Sequence, residues 1–159
     1  MSAPSAGPTD VSALIGPYPF RHLPHPDPAV LIRVLDREGI ARAWVGHLPS
    51  AFHRDPGPGN DALYELLAPY RDRLAPVPAV RPDWPGWSRE FERARHEGAA
   101  AIRAYPPQWG IAADAPVLAD LAVACAGAGL PLLLTVRFED ARQRHPLDSA
   151  GETSAATIR

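Results

Sequence analysis

Lysine is absent: all 16 basic residues of this 159-residue chain are arginine. That removes a Schiff-base amine, the phosphate-binding lysine of a P-loop and any carboxylated-lysine metal bridge. Cysteine is nearly as scarce. Cys125 stands alone, so no internal disulfide can form, and within the apolar run Leu121 to Cys125 it reads as a buried, inert thiol rather than a nucleophile. No stretch of eighteen apolar residues exists to span a bilayer, and Met1 to Asp10 carry neither a basic nor an apolar leader segment. A cytoplasmic protein with no membrane partner is expected. The formal charge of -2 leaves no basic surplus for a nucleic-acid partner either.

What is present describes one globular domain. A hydrophobic share of 46% against 21% charged residues belongs to a packed chain rather than a disordered one. At this length about two-thirds of the unfolded surface can be buried in a single core. Twenty prolines, more than twice the ordinary share of about 5%, act as punctuation.

Read for period, the chain alternates strand and helix. Val11 to Ile15 is a short strand stopped by Gly16-Pro17, and a proline-rich loop runs on to Pro28. Asp27-Pro28 is an N-cap followed by a first-turn proline, and Val30, Leu31, Val34 and Leu35 fall at helical spacing up to Gly39. Ala41 to Leu48 is the next strand. Asn60 then caps a helix carrying Leu63, Leu66, Leu67 and Tyr70. Leu74 to Val80, Ala99 to Tyr105 and Leu130 to Val136 are further strands, separated by helices over Trp84 to His96 and Ala115 to Ala126, and another helix opens near Ser149. The aromatic set Trp84, Trp87 and Phe91 falls on one stripe of its helix and reads as core-facing.

Alternating β-α units predict an α/β fold with parallel strands, the first five units of a (β/α)8 barrel; the alternative is a five-stranded doubly wound open sheet. Residues 1–9 read as a disordered tail and 10–159 as the domain. The ending at Ile158-Arg159 suggests an interrupted barrel, whose open edge a second copy of the chain could cover.

The order of landmarks resembles the amidohydrolase-related (amidohydrolase 2) TIM-barrel family. The carriers are Asp10 to Gly16, the DREGIARAWV stretch from Asp36 to Val45, Gly59-Asn60-Asp61, GAAAIRAYPP from Gly98 to Pro107, and AGLPLLLTVRFED from Ala128 to Asp140. Metal-bearing members place a His-x-His pair on the first strand and a histidine on the fifth. The corresponding positions here hold Ser12, Leu14 and Thr135, and the late histidine and aspartate ligands would lie beyond Arg159. The resemblance therefore implies the scaffold of a hydrolase or lyase without its usual metal; no cofactor is expected, and zinc would require a different alignment.

In such a barrel, chemistry sits at the carboxyl ends of the strands. Arg103 and Tyr105 share one face of the fourth strand, and Leu133, Thr135 and Arg137 one face of the fifth. Two arginines aimed into one mouth, with Arg21 nearby, make a clamp for a small anionic, carboxylated molecule. For proton transfer the chain offers His47 and His145, the latter five residues from Asp140, within reach of a carboxylate-oriented imidazole. A non-catalytic half-barrel that binds itself or a partner is the other reading.

Three further patterns carry less. Gly57-Pro58-Gly59-Asn60-Asp61-Ala62 fits a dinucleotide fingerprint, but Pro58 has no N–H for a pyrophosphate. His22-Leu23-Pro24-His25 spaces two histidines by three, yet Pro24 forbids the helix that would aim them together. No G-x-S-x-G elbow exists to support a Ser-His-Asp hydrolase.

Overall fold

The computed structural model describes residues 7–23, 27–140, 142–148 and 150–153. Five parallel strands alternate with helices: β1 (Thr9–Ile15), α1 (Pro28–Arg37), β2 (Arg42–His47), α2 (Gly57–Leu67), β3 (Leu74–Pro76), α3 (Trp87–His96), β4 (Ile102–Ala104), α4 (Pro106–Trp109), α5 (Pro116–Ala128) and β5 (Leu132–Leu134). β2 pairs with β1 on one side and β3 on the other. The parallel bridge Ala79↔Arg103 carries the sheet from the β3 segment to β4, with Arg103 N–H donating to the Pro78 carbonyl at 3.0 Å, and β4 pairs with β5. Neighbours in space are thus neighbours in sequence, as in a barrel wall. A doubly wound sheet reverses direction at a switch point, and no reversal occurs here. Among the described residues no pairing joins β5 back to β1.

Proline explains why strands read as seven residues are only three long. Pro76 and Pro78 cannot donate to a ladder, so β3 stops at Pro76 and resumes only as the bridge at Ala79. Pro106 and Pro107 start α4 directly after β4, a short helix that the strand-helix period did not announce. At the other end of the chain the expected tail is shorter than read: β1 begins at Thr9 and the Pro8 carbonyl accepts the Ala41 N–H at 2.9 Å. Residues 1–6 lie outside the described residues.

The helices follow their caps. Asp27 accepts the Ala29 N–H at 2.7 Å with Pro28 behind it, and α1 closes through Gly39, whose φ of +68° suits glycine. Asn60 departs from its expected capping role: α2 already starts at Gly57, where first-turn prolines cost no donor, leaving Asn60 inside the helix. There it is fully buried and imitates a strand neighbour. Its Nδ2 donates to the Ala79 carbonyl at 2.8 Å and to Glu90 Oε2 at 3.0 Å, while its Oδ1 accepts the Ala79 N–H at 2.8 Å. α3 begins at Trp87 rather than Trp84 because Pro85 and Gly86, at φ +82°, turn the chain first. Phe91 alone of the aromatic stripe is buried; Trp84 instead stacks against Arg54 and Arg81. The helix expected near Ser149 is not formed over residues 150–153, where Thr153 N–H donates to the Val136 carbonyl at 3.1 Å; Ser149 itself and residues 154–159 lie outside the described residues.

Alternation sorts the two faces of the sheet. Ala13, Ile15, Ala43 and Val45 pack beneath Leu35, Leu63 and Leu67 of α1 and α2. Ile102 and Ala104, with Leu132 and Leu134 beside them, pack beneath Phe91, Leu121 and Cys125 of α3 and α5. The intervening residues Ser12, Leu14, Gly46, Arg103, Leu133 and Thr135 face the other way, into the hollow of the curved sheet. The described helices include none long and apolar enough to cross a membrane.

Candidate functional site

The hollow is a cavity of about 580 Å³, with Ser12, Leu14, Arg103, Thr135 and Arg137 in its wall. Packing is close at Gly46: a Cβ there would stand 3.0 Å from the Leu14 side chain and 3.4 Å from the Val77 carbonyl oxygen, so a larger residue would push on the Leu14 side chain.

Arg103 is the wall's central group. It is only 4% exposed, donates from Nη2 to Ser12 Oγ at 3.1 Å, and its buried Nε has no hydrogen-bond partner among the described residues. A buried guanidinium with an unused donor is costly unless an anion completes it. Tyr105, also buried, packs edge-on to Trp109 and stacks on Phe138. Burial pushes its hydroxyl up to about 12 against the pull of Arg103, so it stays a neutral donor at pH 7. Arg137 also reaches the wall, but its side chain is half-exposed and lies 3.7 Å from Glu152. Arg21 is placed elsewhere, paired with Glu139 beside a smaller pocket.

The acid-base candidates are not brought to this wall. His47 is paired with Ile15, a core residue, so its ring lies on the helix side of the sheet. There Nδ1 and Ser50 Oγ are 2.9 Å apart, and Gly59 must be glycine because a Cβ would stand 2.0 Å from Ser50 Oγ. Burial, and secondarily His53, lowers the His47 imidazole to about 4, leaving it neutral at pH 7. The expected Asp140–His145 pair does not form. Asp140 is held by both Nε and Nη2 of Arg142, at 2.9 and 3.0 Å, which draws its carboxyl down to about 2. His145 Nδ1 accepts the Leu147 N–H at 3.2 Å, and the ring stacks on Phe20 with centroids 5.2 Å apart. A two-residue Asp-x-Arg turn is shorter than the five-residue loop the pairing required, and it wins locally. Cys125 is buried, and burial pushes its thiol up to about 11, the opposite of an activated nucleophile.

A divalent cation does not suit this wall. Ser12, Leu14 and Thr135 offer two hydroxyls and an alkyl group where nitrogen or carboxylate donors are needed, and the Arg103 and Arg137 guanidiniums repel a cation. Among the described residues, no three histidine, cysteine, aspartate or glutamate side chains gather to hold one.

Comparison of the sequence with protein-family models and with curated proteins finds no match. Solved structures do match the architecture. The 5-carboxyvanillate decarboxylase of Sphingomonas paucimobilis superposes with TM-score 0.63 at 15% identity, over 92% of this chain and 58% of that one. The fold is that of part of a (β/α)8 barrel. A probable 2-pyrone-4,6-dicarboxylic acid hydrolase from Acinetobacter baumannii, with citric acid bound, gives TM-score 0.57 at 16% identity, covering 80% of this chain and 49% of that one. The 5-carboxyvanillate decarboxylase of Novosphingobium aromaticivorans, complexed with manganese and 4-hydroxy-3-methoxy-5-nitrobenzoic acid, gives 0.57 at 24% identity, over 79% and 39%. This chain thus spans roughly half the length of the structures it matches.

Sequence reasoning passed over Ser50 and read Asn60 as a cap. Ser50 and Asn60 sit inside loop or helix stretches with no periodic signal, and both are fully buried. Glu139, which the sequence places just after the fifth strand as a partner for a rim arginine, pairs with Arg21.

Proposed function

We propose that this chain binds a small carboxylated molecule in the arginine-walled cavity, as the substrate-holding part of an amidohydrolase-like hydrolase or lyase that works there without a divalent ion. The observation that carries the reading is Arg103: a guanidinium 4% exposed, tied to Ser12, with an unpaired Nε in the wall of a cavity large enough for a small organic acid. A planar fork of donors suits a carboxylate, and burial strengthens the attraction. Support from comparison is of fold, together with the carboxylic acids named in two of the matching structures.

A second reading, binding without chemistry, is favoured by the wall itself. Beside its apolar residues it holds hydroxyls and guanidiniums, and His47, His145 and Asp140 are engaged elsewhere. The test is calorimetric titration of citrate and of benzoate, followed by mass spectrometry of the recovered ligand. Arg137→Ala, at a half-exposed position, should keep the fold and weaken binding about threefold to tenfold. Bound but chemically unchanged ligand would select the second reading; absence of binding to any small carboxylate would remove both.

A further inference from the structure

A smaller pocket of about 190 Å³ adjoins the cavity, sharing Leu14 and Phe138 with it. Its apolar wall continues through Leu23 and Leu48, and unlike the cavity it holds a carboxylate, Glu139, beside Arg21 and Tyr18. The Glu139 side chain is only 8% exposed. Tyr18 is 7% exposed, and its buried hydroxyl has no aligned hydrogen-bond partner among the described residues. Burial, followed by the negative charges of Glu139 and Asp148, pushes that phenol up to about 12, so it remains protonated at neutral pH.

Arg21 serves as the local counter-ion. Its guanidinium carbon stands 5.7 Å from the centre of the Tyr18 ring and it pairs with Glu139. The two groups are in direct contact, but the Arg21 side chain is 54% exposed against 8% for Glu139, so the cation of the pair can swing into water far more readily than the carboxylate. A buried carboxylate calls for a better-seated cation than a surface side chain supplies.

We infer that this pocket is a binding site for a small organic cation, a primary ammonium or guanidinium group on an apolar stem, which Arg21 fills in its absence. The Glu139 carboxylate is the counter-ion, the Tyr18 ring face attracts the cationic head, and Leu14, Leu48 and Phe138 take the stem. The inference goes beyond the carboxylate reading of the cavity and does not depend on it.

The probe is n-butylammonium, with n-pentanol as its neutral counterpart, each titrated calorimetrically into the full chain. Butylammonium should bind at least about tenfold more tightly than pentanol. Glu139→Gln should remove that preference and leave citrate binding in the larger cavity unchanged. Arg21→Ala, which deletes the internal competitor, should raise butylammonium affinity about threefold or more. Equal affinity for the two probes, an unaltered preference in Glu139→Gln, or no gain in Arg21→Ala would each overturn the inference. Should Glu139→Gln fail to fold by circular dichroism, the Arg21→Ala titration decides alone. Loss of citrate binding with butylammonium binding intact counts only against the carboxylate reading.

Discussion

Acid should weaken this fold through His47 in a way that can be isolated. In the folded protein its imidazole titrates near 4, against 6.5 for an ordinary histidine, chiefly because burial disfavours the charged ring. The unfolded chain therefore takes up a proton first. Above pH 6.5 neither state is charged and nothing is lost; as pH falls from 6.5 toward 4, the unfolded state gains protons and stability drops. At about 1.4 kcal/mol per pH unit the full gap is worth about 3 kcal/mol; the ring keeps some contact with water, which reduces the figure to about 2 kcal/mol. The assay is urea denaturation of wild type and His47→Asn at pH 7.0, 6.0, 5.0 and 4.5. Asn can still meet Ser50 and does not titrate, so other acid-sensitive groups cancel in the difference. Wild type should lose about 2 kcal/mol more than the variant between pH 7.0 and 4.5. Parallel stability profiles would refute the assignment of His47 as a buried neutral base.

Other expectations concern the frame around the cavity. Asn60→Ala strips both Ala79 backbone partners and should cost about 3 kcal/mol in denaturant unfolding; a loss below about 1 kcal/mol would show the bridge to be dispensable. Gly59→Ala should destabilise by about 1–3 kcal/mol because its Cβ meets Ser50 Oγ, and Ser50→Ala in the same chain should recover part of the loss. Asp27→Ala removes the α1 cap and should cost about 1 kcal/mol by the same measurement, with no effect on citrate affinity.

The fold was legible wherever local chemistry and tertiary packing agree. Asp27-Pro28 marks a helix start that needs no distant partner; Leu132 to Leu134 form the expected strand, yet all three are only half-buried where their apolar run promised full cover. Lengths failed where proline removed donors from a strand that apolar content favoured, as at Pro76 and Pro78. Trp84 misled because its spacing to Phe91 is helical although Pro85 and Gly86 turn the chain between them. The period of two placed Arg103 and Arg137 in one wall, a local inference. The same period also sends His47 to the opposite face, a consequence that its position at a strand end concealed. Asp140 and His145 illustrate the limit: nothing in their spacing shows that Arg142 and the Leu147 N–H are nearer partners.

The most direct measurement is citrate affinity of the chelator-treated protein, wild type against Arg103→Gln, with folding of both checked by circular dichroism. If the buried guanidinium holds the carboxylate unaided, the chelated wild type binds as before and Arg103→Gln loses about 2 kcal/mol, roughly thirtyfold in Kd. Equal affinity in the two chains, or binding that returns only when a divalent ion is added back, would contradict the account.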